Sequence, residues 1–291
     1  MKRKDGFTLI ELLVVLVIIA ILVAIQIPAL AKATQQTKAA LCMNNCRQLM
    51  IAWLGYTRDS NDNIVYALHG AGAQGGAGFS LNGQLVHGWA SGWLDWSTAT
   101  DNTNSIFLTN SRYALLAPYL SGSKYVFKCP ADNFLSAAQR ARGWSDGRSR
   151  SISGDIFLGN GNAFAGPIGA IYRQCIKVSD LQRPSPGETW AFTEEHPDSI
   201  NDPEFFPPQN ATLLTDVPGT LHNSACNFAF CDGHAAINKW KGCLSGGRAL
   251  QVLAIDGNYL NNAISAAAND PDVYYLSYHS PRKAGAAGTP Y

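Results

Sequence analysis

Residues 12–30, LLVVLVIIAILVAIQIPAL, form nineteen consecutive positions without a charge. At about 1.5 Å per helical residue this run reaches roughly 28 Å, which matches the ~30 Å hydrocarbon core of a bilayer. A secretory signal peptide has a basic start, a shorter apolar stretch and then a small-residue cleavage site. Here the order is inverted. The basic and polar leader Met1-Lys2-Arg3-Lys4-Asp5-Gly6 comes first, so the natural cut lies before the apolar run and leaves it on the mature chain. The three basic residues in front predict an amino terminus in the cytoplasm, with the bulk of the chain on the other side of the membrane.

Glu11 is the anomaly, because a carboxylate entering hydrocarbon costs on the order of 2.5 to 3.5 kcal/mol even on permissive insertion scales. If the chain is cut after Gly6, the amine of Phe7 becomes a second stranded charge near the bilayer edge. An amine on one subunit and Glu11 on its neighbour would neutralise each other as copies of the helix bundle; snorkelling to the headgroups is the alternative. The stretch KDGFTLIE at 4–11, followed by LLVVL, resembles the class III leader and mature start of type IV pilins and type II secretion pseudopilins. The resemblance covers about residues 3 to 30. It implies cleavage after Gly6 by a prepilin peptidase, N-methylation of Phe7, and assembly guided by Glu11. Pro28 falls where many members of the family carry a helix-interrupting proline. The resemblance further implies a single-pass inner-membrane subunit with a periplasmic carboxyl-terminal domain. Its partners would be other copies of itself, other pilin-like subunits and the inner-membrane assembly platform.

Beyond Ala29 the pattern turns amphipathic, and neither Gly nor Pro occurs between Pro28 and Gly55. One helix from about residue 8 to 58 is predicted, kinked or loosened at Pro28, with its outer half lying in a groove of the globular domain. The polar run Asp59-Ser60-Asn61-Asp62-Asn63 ends it. Four parts follow: a leader at 1–6, a transmembrane and assembly helix at 7–30, an amphipathic continuation at 31–58, and an extracytoplasmic domain at 59–291. Strand-like runs at 125–129, 168–178, 189–193 and 226–231 favour an α+β fold in which the long helix packs against an antiparallel sheet. The Gly-rich stretch AGAQGGAG at 71–78 reads as a flexible loop. Trp89, Trp93 and Trp96 then read either as its packed return or as a platform for stacking sugars.

Two constellations carry chemistry. In LHNSACNFAFCDGHAAINKW at 221–240, Asp232-Gly233 is a strong hairpin signal for a two-residue turn with positive φ at both positions. His222 precedes Asp232 by ten positions, giving H-x9-DG with Gly233. This resembles the H-x9-DG element of one branch of prepilin-type proteins, as does FKCPAD at 127–132. A zinc set of His222, Cys226, Cys231 and His234 meets no recognised ligand spacing, and Cys226 and Cys231 have opposite parity along a strand. The second constellation is TEEHPDSINDPEFF at 193–206. Glu194, Glu195, Asp198, Asn201, Asp202 and Glu204 offer the hard oxygens that Ca²⁺ takes, with the last five as the candidate ligands, on a loop held by Pro197 and Pro203 that otherwise reads as an acidic surface.

A formal net charge of +1 supplies no global field for nucleic acid. Locally, residues 124–183 hold nine Lys/Arg against four Asp, and residues 184–238 hold eight Asp/Glu and no Lys or Arg. That predicts two faces of opposite sign, suited to contact between subunits. Seven cysteines cannot all pair within one chain. The expectation is a non-enzymatic structural subunit of a type IV pilus-like or type II secretion filament. The alternative is a membrane-anchored binding protein for a polymer or polysaccharide, using the tryptophans.

Overall fold

The computed structural model describes residues 8–81, 83–160, 171–208, 210, 212–257, 259–260 and 263–283. Helix α1, Leu9–Asp59, is 51 residues long and continuous through Pro28, although proline removes one intrahelical hydrogen bond there. Thr8 caps it: the Thr8 N–H donates to Glu11 Oε2 at 2.8 Å, and the Glu11 N–H donates to Thr8 Oγ1 at 3.3 Å. This reciprocal capping box satisfies two otherwise orphaned donors. At the far end Asn61 and Asp62 take φ of 54° and 70°, the left-handed conformation that Asn and Asp tolerate best after glycine.

The two halves of α1 meet different surroundings. Residues 8–37 are exposed throughout. In the outer half Cys42, Cys46, Leu49, Met50, Trp53 and Thr57 recur at helical spacing and are buried. They pack on a five-stranded sheet of order β5-β3-β4-β6-β7. Its strands are β3 (Ile152–Asp155), β4 (Trp190–Glu194), β5 (Glu204–Phe205), β6 (Ala225–Phe230) and β7 (Ala235–Lys239). All neighbouring pairs are antiparallel except β3 and β5, which run parallel with Gly154 opposite Glu204. A separate hairpin pairs β1 (Phe79–Leu81) with β2 (Gln84–Val86). Short helices α2 (Ile106–Thr109) and α3 (Ala137–Ala141) lie in the connections, and α4 (Pro271–Tyr278) follows the sheet.

Strand β6 is buried on both faces. One face carries Ala229, with Cys231 beyond the strand end, and packs on Leu49 and Trp53 of α1. The other carries Cys226, Phe228 and Phe230 and packs with Trp190, Trp240 and Leu276. The opposite parity of Cys226 and Cys231 therefore places them in different cores.

Several expectations need correction. Residues 125–127 form a 3₁₀ turn rather than a strand, inserting Val126 and Phe127 into the core while Tyr125 stays exposed. A short apolar run does not distinguish these states. Of the run at 168–178, the described residues make only isolated bridges, with Leu158, Asn63 and Arg282 among the partners. The turn at Asp232-Gly233 is also different. Gly233 N–H donates to Phe230 O and Phe230 N–H to His234 O, both at 2.8 Å, and only Gly233 has positive φ. Three residues, 231–233, make the connection. Finally, Trp89 and Trp96 are core residues at 1% exposure, Trp89 stacking on Phe127 and donating to Pro203 O at 2.9 Å. They present no open stacking face.

Candidate functional site

The amino-terminal half of α1 contains an 18-residue window of mean hydropathy 3.1 with none of it buried against the rest of the chain, long and apolar enough to cross a membrane. At its head Glu11 Oε2 also accepts from Thr8 Oγ1 at 2.7 Å, so its own cap holds the carboxylate in place. Pro28 stands within the exposed half. Gly6 and Phe7 lie outside the described residues.

A second site lies where α1 meets the sheet. Cys42 comes from the helix, Cys129 from the loop after the 125–127 turn, Glu194 from the end of β4, and His222 from the turn before β6. Their four ligand-capable atoms all lie within 4.8 Å of one another, and all four residues are buried. Cys42 Sγ donates to Glu194 Oε1 at 2.6 Å, His222 Nε2 is also 2.6 Å from Oε1, and Cys129 Sγ is 3.3 Å from His222 Nε2. The other carboxylate oxygen accepts the Asn227 N–H at 2.8 Å and its Nδ2 at 3.3 Å. Burial works against the Glu194 carboxylate, but the hydrogen bond and charge of His222 outweigh it and hold the pKa below its ordinary value. Burial likewise opposes the His222 imidazolium, yet the contacts to Cys129 and Glu194 push its pKa up to about 10. Burial, aided by Cys129, Cys46 and the Glu194 charge, pushes the Cys42 thiol up.

The H-x9-DG element acquires a geometric meaning. His222 and the Asp232-Gly233 turn bracket β6 at its two ends. Asp232 Oδ1 accepts the His234 N–H at 3.0 Å and lies 2.6 Å from His234 Nδ1, on the outside of the hairpin. The proposed set of His222, Cys226, Cys231 and His234 is thus dispersed: only His222 enters the buried cluster. Residue-by-residue reading missed Cys42, Cys129 and Glu194 as its companions. The one local signal was FKCPAD, where the Ala131 N–H turns back to Cys129 Sγ at 3.3 Å.

The acidic segment 193–206 is a buried polar layer rather than a surface loop or a single oxygen cage. Glu195 accepts from Ser153 Oγ at 2.6 Å and Ser199 Oγ at 2.8 Å, with the Arg150 charge nearby. Asp198 Oδ2 accepts from Arg248 Nη2 at 2.6 Å and from the Leu253 N–H at 2.8 Å. Asn201 uses its side-chain oxygen on the Asp202 N–H at 2.6 Å. Asp202 lies 3.1 Å from His69 Nδ1, and Glu204 pairs with the same nitrogen. Those hydrogen bonds push the His69 pKa up to about 10. The five residues expected to share one Ca²⁺ are therefore divided: Glu195 and Asp198 each have partners of their own, Asn201 turns to the backbone, and only Asp202 and Glu204 meet, at His69. The compensating cations come from far away in sequence. Arg148 and Arg150, from the basic stretch, are buried against this layer, Arg148 donating to Pro197 O at 2.8 Å. Part of the basic stretch thus meets the acidic layer inside one molecule, while Lys124, Arg140, Arg142, Lys177 and Arg183 stay exposed.

Comparison with known proteins finds one resemblance. Residues 1–25 match the family model of the prokaryotic N-terminal methylation motif. No curated protein and no solved structure matches the chain. The match ends within the exposed half of α1, so it speaks for the apolar helix and not for the sheet or the buried cluster. Over those 25 residues the chain carries the amino-terminal signature of type IV pilin and pseudopilin-like precursors, the kind that is processed by a prepilin peptidase and assembles with other pilin subunits.

Proposed function

We propose that this chain is a structural, non-enzymatic subunit of a type IV pilus-like or type II secretion filament. Cleavage falls between Gly6 and Phe7, and the new Phe7 amine is methylated. Before assembly α1 anchors the chain in the inner membrane with its amino terminus in the cytoplasm and its globular domain in the periplasm. After assembly the same helix lies in the filament core among other copies and other pilin-like subunits, delivered by the inner-membrane platform.

One observation carries this reading. The large apolar residues from Leu9 to Leu30 are 44% to 79% exposed, whereas the outer half of the same helix is packed on the sheet. So large an apolar surface is stable only against lipid or against further apolar helices. Glu11 favours the second environment as the end state, since a neighbour's Phe7 amine offsets the charge that lipid penalises.

Mass spectrometry of assembled material tests the processing, with a methylated Phe7 as the expected terminus; an intact Met1 in filaments would defeat it. Glu11→Ala tests the assembly step. The variant is expected to insert into membranes as well as the unsubstituted chain and to be depleted from filaments. Equal incorporation of both would remove the assembly role from Glu11.

A further inference from the structure

The buried cluster at the junction of α1 and the sheet is not accounted for by filament assembly. Two thiols, one imidazole and one carboxylate converge from positions 42, 129, 194 and 222, each at 5% exposure or less. An ion pair between His222 and Glu194 needs neither sulfur, and a thiol is a weak hydrogen-bonding group. Aiming two thiols from sequence-distant segments at one buried pair therefore adds little as hydrogen bonding. As a donor set, S₂NO is one that Zn²⁺ accepts in tetrahedral coordination. The geometry points to a structural Zn²⁺ site formed by Cys42, Cys129, Glu194 and His222.

The dimensions fit. Zn–S bonds of about 2.3 Å and Zn–N or Zn–O bonds of about 2.0 to 2.1 Å give tetrahedral edges of roughly 3.3 to 3.8 Å. The separations run from 2.6 Å for His222 to Glu194 to no more than 4.8 Å for any pair. An ion enters with adjustments on the order of 1 Å or less, which four side chains from four segments can supply. Glu194 has the support that a metal ligand needs. Asn227 holds the non-coordinating oxygen of Glu194 through two N–H groups. The Ala131 N–H points at Cys129 Sγ and helps to orient it. Nothing is left open for a substrate, since all four positions belong to the protein, so the site is structural rather than catalytic. Binding releases the two thiol protons and the proton shared by His222 and Glu194 to solvent. On its His222 side the cluster adjoins a groove of about 940 Å³ between residues 27–39 of α1 and the 221–223 turn.

The consequence is mechanical. Cys42 sits where α1 passes from its exposed to its packed half, and the ion ties that point to three separate segments of the globular domain. This assignment rests on the cluster and holds or fails independently of the filament reading.

The test uses the full chain, purified in detergent without chelator. Elemental analysis is expected to find about one zinc per chain, and Co²⁺ exchanged into the site is expected to show the visible and near-ultraviolet bands of thiolate-ligated tetrahedral cobalt. Cys42→Ser with Cys129→Ser is expected to abolish stoichiometric zinc, and Cys175→Ser, at a buried free cysteine outside any such cluster, to leave it unchanged. Because the double variant can fail to fold, the unsubstituted protein decides as well. Failure of the unsubstituted chain, as isolated and after stripping and reloading, to hold either Zn²⁺ or Co²⁺ overturns the site. So does a Cys42–Cys129 disulfide in non-reduced peptide maps, or zinc retained at full stoichiometry by the folded double variant.

Discussion

Asp155 ends β3 at 2% exposure, and burial raises its pKa to about 7, only partly offset by the Phe157 N–H and the Ser280 hydroxyl. The folded-state value lies above the unfolded one near 3.8. The neutral acid is therefore favoured by folding, and the associated stability is complete below the unfolded pKa and lost as pH rises through about 7. Asp155→Asn is expected to stabilise the chain at pH 8 by about 2 to 4 kcal/mol and to change little at pH 4. Thermal melting followed by tryptophan fluorescence at the two pH values checks this, and an equal effect at both would remove ionisation as the cause. Residues differ in how far the sequence exposes such roles. Glu11 was conspicuous because no other charge lies near it in an apolar run. Asp155 carried no local signal and Glu194 stood out only as one oxygen of an acidic run, since what changes their chemistry is burial by segments dozens of positions away.

At the scale of elements, the H-x9-DG spacing corresponds to one strand with its two fittings. β6 lies between His222, which faces the helix junction, and a turn whose closing residue is Gly233. Its φ is 101°, and a Cβ there would come 3.1 Å from Leu54 Cδ1 of α1. Gly233→Ala therefore meets both a left-handed backbone and the helix, and is expected to cost about 1 to 2 kcal/mol. Gly246→Ala, at a position with negative φ and open space, is expected to stay within about 0.5 kcal/mol. Chemical denaturation of both variants makes the comparison, and equal losses would show that Gly233 is not required by the turn. The sequence predicted the hairpin but not its loop length, because Asp-Gly is compatible with two- and three-residue connections. The carboxyl end of the long helix was legible for a more local reason, the five polar turn-formers at 59–63.

At the scale of the whole molecule, the buried acidic layer meets its cations internally: Arg148 and Arg150 of the basic stretch are buried against it, and Arg248, from beyond both stretches, pairs with Asp198. Asp198 holds Arg248 and the backbone N–H groups of Leu253 and Ala254. Its removal leaves those donors without their acceptor, and Asp198→Ala is expected to cost about 2 to 3 kcal/mol. That loss is expected to be the same in Ca²⁺ and in chelator; a calcium-dependent difference would show that these carboxylates gather around a cation after all. The sequence by itself determined the membrane-length helix, its inverted leader, the single charge at its head, the α+β class and the strands β4 and β6. Each of these is written in a window of a few to a few dozen residues, as hydrophobic period, charge position or turn chemistry, and needs no distant partner to be read. The tertiary structure decided that the 193–206 segment is buried and that Trp89 and Trp96 are core. It also decided that Cys42, Cys129, Glu194 and His222 share one point. Those outcomes depend on which segments the chain brings together across 180 positions, from 42 to 222, and no periodicity within a segment records its eventual neighbours.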